Sequence, residues 1–143
     1  MTTKKLGKQT VAFANPPSIS GHANVVGKKE GEGPLSASFD FINQDDTFGE
    51  ASFEKAESAM QRMALQNALD KAKQSAATLD YIFAGDLLNQ CIASSFAVRG
   101  QDIPFFGLYG ACSTMAESLT LAAMMLDGGF GEWCAAMASS HFC

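Results

Sequence analysis

From residue 52 onward, segments with the period of a helix alternate with short apolar segments that are typical of buried strands. Strands are predicted over residues 79–84, 105–109 and 133–138. Helices are predicted over residues 52–74, from residue 87 to the Arg99-Gly100 pair, and over residues 114–126. This alternation favours a parallel sheet with right-handed connections and helices on both faces, so the predicted fold class is α/β.

The segment before residue 52 has a different character. Residues 10–14 form a short β-prone run that ends at Asn15-Pro16-Pro17, because two prolines deny the backbone its hydrogen-bond donors. Residues 18–51 are rich in Gly, Ser, Asp and Asn and show no sustained period. They are predicted to form a long loop with a strand near residues 38–42.

The helix predicted over residues 114–126 is apolar on nearly every side. Glu117 is its only charged residue, so the helix has hardly any stripe that would face water. In the second predicted helix, by contrast, the apolar side is assigned to Leu87, Leu88, Cys91, Ile92 and Phe96. A helix as apolar as 114–126 is expected to lie between two sheets.

Composition limits the possible functions. The chain has 143 residues, which is room for one compact domain, and its 47% apolar content is ample for a core. A net charge of -5 argues against nucleic-acid binding. The first 29 residues are locally basic, a pattern that fits solvated charge better than contact with anionic lipid. Without a membrane-spanning or signal-peptide segment, the chain is expected to be made in the cytoplasm.

The cysteines are expected to be reduced thiols, because they show neither C-x-x-C spacing nor the density of a disulfide scaffold. They are Cys91, Cys112, Cys134 and Cys143. The only histidines, His22 and His141, do not pair with closely spaced cysteines, so zinc is unsupported. No metal site and no cofactor is predicted.

Cys112 is the most informative position, because it follows a predicted strand and precedes a predicted helix. Parallel α/β proteins place their chemistry at this edge of the sheet, and the positive end of a helix favours a thiolate. Two readings remain open: a nucleophile, or a small apolar residue fitted into a tight turn. His141 is the only candidate base downstream, and its spacing fixes no geometry.

Several motifs resemble the stage V sporulation protein AD family. They lie in residues 79–90 (L-D-Y-I-F-A-G-D-L-L-N-Q), 103–118 (I-P-F-F-G-L-Y-G-A-C-S-T-M-A-E-S) and 126–141 (L-D-G-G-F-G-E-W-C-A-A-M-A-S-S-H). The combination of A-G-D-L-L-N-Q with G-A-C-S-T is the most specific part. With G-K-Q-T at 7–10 and G-P-L at 33–35, the resemblance spans nearly the whole chain.

The resemblance implies the amino-terminal half of a thiolase-like fold, a mixed and mostly parallel sheet with a buried central helix. Such a fold is related to ketoacyl carrier-protein synthase III, and Cys112 occupies the position of the condensing enzymes' nucleophile. It also implies a binder of dipicolinic acid (pyridine-2,6-dicarboxylate) that serves uptake into the developing spore. Its partners would be other proteins of the same uptake complex at the spore inner membrane, where this chain would be peripheral.

The expected ligand site is the turn of Cys112, Ser113 and Thr114, because backbone N–H groups at a helix start suit a planar dianion. Arg62 and Arg99 are the other cationic options beside the lysines. In condensing enzymes the catalytic histidine and asparagine come from the second half of the fold, which residues 1–143 are expected to lack. Three functions therefore remain: a binding subunit, a condensing or acyl-transfer enzyme that uses Cys112, and a scaffold with a vestigial pocket.

If that second half is lacking, one face of the 114–126 helix is expected to be exposed. Its long apolar side chains are Met115, Leu119, Leu121, Met124, Met125 and Leu126. Leaving several of them uncovered forfeits burial energy, so the chain is expected to self-associate, for which a homodimer is the simplest form.

Overall fold

A computed structural model describes residues 4–87 and 90–140. The strands are β1 (Lys5–Leu6), β2 (Thr10–Val11), β3 (Val25–Val26), β4 (Phe41–Ile42), β5 (Tyr81–Asp86), β6 (Phe105–Gly107) and β7 (Cys134–Ser139). The α-helices are α1 (Lys28–Gly31), α2 (Phe53–Ala72), α3 (Ile92–Ala97) and α4 (Thr114–Asp127). Short 3-10 turns lie at Ser36–Ser38, Ala76–Thr78 and Ala111–Ser113.

The main sheet has the order β6-β5-β7, and both pairings are parallel. Side chains alternate along β5, so Ile82 and Ala84 enter a core with Leu65 and Leu69 of α2. The opposite face of β5 is covered by α4, which also packs against β7. The predicted α/β class, with a parallel sheet between layers of helices, is therefore confirmed.

Helix α2 agrees with the prediction over residues 52–74 to within two residues. Ser52 is its N-cap, and the hydroxyl accepts a hydrogen bond from the N–H of Lys55 at 3.4 Å. The helix ends at Ala72, and the C-cap Lys73 has a φ of 55° in the left-handed region.

The predicted orientation of α3 is wrong. Ile92 and Phe96, which the sequence analysis assigned to the apolar side, are 49% and 52% exposed. The buried positions are Ala93, Ser94 and Ala97. Small residues face inward because α2 passes close to this helix. The hydroxyl of Ser58, on α2, donates to the carbonyl of Ala93 at 2.9 Å. Leu88, from the same prediction, lies outside the described residues.

The amino-terminal segment does not join the main sheet. The predicted strand over residues 10–14 is reduced to β2, which pairs with β1 as an antiparallel hairpin. Lys4 anchors this hairpin to the end of α4 through a salt bridge of 2.7 Å to Asp127. The N–H of Asn15 donates to the same carboxylate at 2.7 Å. Within the predicted loop 18–51, β3 pairs with β4 in parallel, which confirms a strand near residues 38–42.

One side of α4 is exposed, as the sequence predicts. Thr114, Ser118 and Ala122 face the sheet and are buried. Three apolar side chains that flank this buried face are uncovered: Met115 is 44% exposed, and Leu119 and Met124 are each 39% exposed.

In the portion of the chain that the structure describes, no helix combines the length and apolar character needed to cross a membrane.

Candidate functional site

The turn that carries Cys112 lies at the carboxyl edge of the sheet, where the sequence places it. Strand β6 ends at Gly107, and the N–H of Leu108 still donates to the carbonyl of Ala84 at 2.8 Å. The 3-10 turn Ala111–Ser113 follows and leads into α4. Cys112 is exposed.

Hydrogen bonds across the turn fix its backbone. Ser113 donates twice to the carbonyl of Gly110, from its N–H at 3.0 Å and from its hydroxyl at 2.7 Å. The N–H of Gly110 donates to the hydroxyl oxygen of Thr114 at 3.2 Å. Ala111 has a φ of 48°, a left-handed conformation that costs energy for a residue with a Cβ. The turn is thus held in a strained shape immediately before Cys112.

The turn rests closely on strand β5 at Gly85. A Cβ at Gly85 would lie 2.0 Å from the carbonyl oxygen of Leu108 and 2.7 Å from Cγ2 of Thr114. Thr114 itself is buried. Only glycine therefore allows β5 to approach the Cys112 turn this closely.

Two of the three backbone donors expected at the site are already in use. The N–H of Ser113 is bonded to Gly110, and the N–H of Thr114 donates to the carbonyl of Ala111. Within residues 4–87 and 90–140, the Cys112 N–H has no acceptor and is available to an anion. The Cys112 thiol and the Thr114 hydroxyl proton are further donors, although Thr114 is buried.

A carboxylate lies beside the turn. An added Cβ on Gly110 would lie 2.6 Å from Oε2 of Glu117 and 2.6 Å from the hydroxyl oxygen of Ser113. Glu117 is exposed and belongs to the first turn of α4. Its negative charge opposes a second negative charge at the turn, whether that charge is a thiolate or a bound carboxylate.

The other two described thiols are poor nucleophiles. Burial raises the pKa of Cys91, and the nearby Asp86 carboxylate raises it further. The Cys91 thiol donates to the carbonyl of Leu108 at 3.0 Å. Burial, with a contribution from Asp80, raises the pKa of Cys134 to about 11. Cys112 is therefore the thiol that the fold exposes for contact with a ligand or substrate.

A buried polar network at the same edge was not predicted from the sequence. The amide nitrogen of Gln61 donates to the hydroxyls of Ser94, at 3.0 Å, and of Ser139. Ser94 in turn donates to Asp86 at 2.9 Å, and Ser139 donates to Glu57 at 2.5 Å. All but Ser139 are at most 3% exposed. The sequence feature that could have indicated this network is the pair of polar residues Glu57 and Gln61, which are four positions apart on the buried side of α2.

The remaining sequence candidates lie elsewhere. His141 is outside the described residues. Arg62 and Arg99 converge on Phe96 at the surface of α3, where Arg62 donates to the Phe96 carbonyl. In the described parts of the chain, no three His, Cys, Asp or Glu side chains come together as a metal site would require.

Comparison with solved structures places this fold in a class. The priming β-ketosynthase from the R1128 polyketide biosynthetic pathway superimposes with a TM-score of 0.50 at 20% sequence identity. The match covers 64% of this chain and 29% of that one. The parallel sheet with its cysteine at the start of α4 is thus a thiolase-like α/β fold.

Sequence comparison then identifies the family. The family model for stage V sporulation protein AD matches residues 7–143. Stage V sporulation protein AD of Bacillus subtilis (strain 168) is 36% identical over 138 residues, which is 96% of this chain. The chain belongs to the stage V sporulation protein AD family. It spans 41% of the length of that relative.

Proposed function

We propose that this chain contributes to a non-enzymatic subunit that binds dipicolinic acid during its uptake into the developing spore. Membership of the stage V sporulation protein AD family supports a role during sporulation. The observation that supports a binding site is the exposed turn at Cys112. The Cys112 N–H and thiol lie there at the positive start of α4, where they can donate to an anion. Cys112, Ser113 and Thr114 form this proposed site.

The ligand is a planar aromatic dianion, and the turn suits only part of it. One carboxylate can accept from the Cys112 N–H at the helix start. The other cannot approach Glu117 without like-charge repulsion. We therefore expect the ligand to bind with one carboxylate at the turn and with its ring directed away from Glu117.

Calorimetry with dipicolinate tests this proposal. Binding is expected for the chain, and Cys112→Ser is expected to change the affinity, because it replaces the thiol at the turn by a smaller and more polar hydroxyl. Glu117→Gln is expected to strengthen it by about twofold to fivefold, because it removes a like charge near an exposed site. Isophthalate, which lacks the ring nitrogen, serves as the matched ligand. If Cys112→Ser and Glu117→Gln both left the affinity unchanged, the turn would not be the binding site.

A condensing or acyl-transfer enzyme is the second candidate, and a specific observation favours it. Cys112 is exposed and follows Ala111, whose φ of 48° is the kind of stored strain that accompanies reactive turns. Mass spectrometry after incubation with acyl-CoA thioesters separates the two candidates. A thioester adduct that disappears in Cys112→Ser would favour the enzyme, whereas binding of dipicolinate without an adduct favours the binding subunit.

The proposal extends to location and partners. A chain of this family would act peripherally at the spore inner membrane, beside the other membrane proteins of the same uptake complex. Co-purification of a tagged chain with spore membranes, before and after a salt wash, tests this placement. Release by salt indicates peripheral attachment.

A further inference from the structure

A cleft of about 470 Å³ lies between α2, the 3-10 turn at Ala76–Thr78 and the end of α3, and no residue of the Cys112 turn lines it. Its floor is apolar and includes Leu65, Leu69, Ala76 and Ala97. Its polar lining consists of Arg62 together with the amides of Gln66, Asn67 and Gln101. No carboxylate is among these lining residues. The volume lies within the range of small-molecule sites, about 300–1,000 Å³.

Arg62 is held at the rim of this cleft with much of its guanidinium unused. Its Nη1 donates to the backbone carbonyl of Phe96 at 3.1 Å. This hydrogen bond joins α2 to α3 and holds the guanidinium group in place. The remaining N–H groups can donate elsewhere. The helical neighbours at i±3 and i±4 are Ser58, Ala59, Leu65 and Gln66, so none is acidic.

The second arginine of the chain contacts the same residue, Phe96. The Arg99 guanidinium carbon is 5.8 Å from the centroid of the Phe96 ring, and that ring is 52% exposed. The salt bridges found in the described ranges use Lys4, Lys28 and Lys71, and neither arginine takes part in one. In a chain of net charge -5, both arginines thus contact Phe96, Arg62 at its backbone carbonyl and Arg99 at its ring, and in the described ranges neither forms a salt bridge.

We propose that this cleft binds a small organic carboxylate with a flat apolar body, independently of the Cys112 turn. The carboxylate accepts from the guanidinium of Arg62, which is the geometry that arginine is suited to recognise. The apolar body lies on the floor formed by Leu65 and Ala97, and the charge of Arg99, which lies over the Phe96 ring, adds longer-range attraction. The neutral amides of Asn67 and Gln101 complete the contacts, whereas the Gln66 amide nitrogen donates to the Asp70 carboxylate at 2.8 Å.

Ligand-detected NMR titrations with benzoate and benzamide test the proposal, since the two ligands share a shape but only benzoate is charged. We expect benzoate to bind at millimolar concentration and benzamide to bind at least about fivefold more weakly. Arg62→Gln and Arg99→Gln should each weaken benzoate binding by about threefold to fivefold. Lys55→Gln removes a charge from α2 at a position that does not line the cleft, and should leave benzoate binding unchanged.

Two results would overturn the proposal: equal affinity for benzoate and benzamide, or unchanged benzoate affinity in both arginine variants. Arg99→Gln keeps the Arg62–Phe96 hydrogen bond, so it tests the charge even if Arg62→Gln disturbs packing. Competition by inorganic phosphate distinguishes a general anion site from a carboxylate site. If phosphate displaced benzoate completely, the apolar floor would not contribute to binding. Cys112→Ser should leave benzoate binding intact, so failure of the Cys112 proposal remains distinguishable from failure of this one.

Discussion

Ser94 holds Asp86 through two hydrogen bonds to the same carboxylate oxygen. The backbone N–H of Ser94 donates to Asp86 Oδ2 at 3.0 Å, and its hydroxyl donates at 2.9 Å. Both residues are 0% exposed, so these bonds form in a medium where losing one is costly. Because Ser94 also accepts from Gln61, one hydroxyl links the end of β5 to the buried side of α2.

Ser94→Ala should therefore destabilise the fold. Asp86 would lose one donor and the Gln61 amide would lose one acceptor, so we expect a loss of about 1–3 kcal/mol in the free energy of unfolding. Urea denaturation followed by circular dichroism measures it. Ser95→Ala is the matched control, because Ser95 is the next residue of α3, is exposed and donates only to the carbonyl of Cys91. Equal effects of the two substitutions would contradict the importance of the network.

Gly85→Ala should disrupt the Cys112 turn. The new Cβ would lie 2.0 Å from the Leu108 carbonyl oxygen, and a backbone atom cannot rotate away as a side chain can. We expect a loss of at least about 1–3 kcal/mol in the free energy of unfolding. Gly27→Ala is the control, because no atom lies within 4 Å of an added Cβ there. A Gly85→Ala variant as stable as Gly27→Ala would show that the turn does not pack on β5 as described.

Asp80 should make the stability depend on pH in the acid range. The backbone N–H groups of Trp133 and Glu132 donate to its carboxylate and hold its pKa below the usual 3.8. A depressed pKa in the folded state stabilises the fold above the unfolded pKa, and this contribution is lost as the pH falls through the folded pKa. The urea concentration at the midpoint of unfolding should therefore decrease as the pH is lowered below about 4. Asp80→Asn should make this decrease smaller. An unaltered pH profile in Asp80→Asn would contradict this cause.

The sequence predicted the main elements because their signals are local. Ser52 marks the start of α2, and the turn at residues 110–114 marks the start of α4, so both helices were placed within two residues. The parallel sheet followed from the alternation of elements alone. Such features depend on hydrogen bonds and periodicity within a short stretch of chain.

The orientation of α3 could not be predicted, because it depends on a distant element. Periodicity assigned Ile92 and Phe96 to the core, yet the close approach of α2 admits only small residues such as Ala93 and Ser94. The network at the candidate site was missed for the same reason. Gln61 and Ser139 are 78 positions apart, and nothing local to either residue indicates their contact.

The three described thiols should differ in reactivity. Cys112 is exposed, whereas burial raises the pKa of Cys91 and raises that of Cys134 to about 11. At pH 7 to 8, iodoacetamide should therefore modify Cys112 well before the other two. Peptide mass spectrometry over time measures the order, in a Cys143→Ser background that removes the cysteine outside the described residues. Modification of Cys134 before Cys112 would contradict the described burial.

The exposed side of α4 should make this chain self-associate. Met115, Leu119 and Met124 are 44%, 39% and 39% exposed. Met115 and Leu119 are one turn apart on one flank of α4, and Met124 lies on its opposite flank, so both flanks present apolar surface. Covering one such side chain is worth up to about 1.5–3 kcal/mol, which favours contact with a second copy. Light scattering should show a mass that rises with concentration, and a hydrophobic dye should bind.

Replacing all three of these side chains by glutamine should lower both the concentration dependence and the dye signal, because glutamine keeps the helix and removes the apolar surface. Ile19→Gln is the control, since it changes a side chain that is 73% exposed but lies far from α4 in sequence. If the unsubstituted chain were a monomer at every concentration and bound no dye, these exposed side chains would not drive association. An equal effect of Ile19→Gln would place the contact elsewhere on the surface.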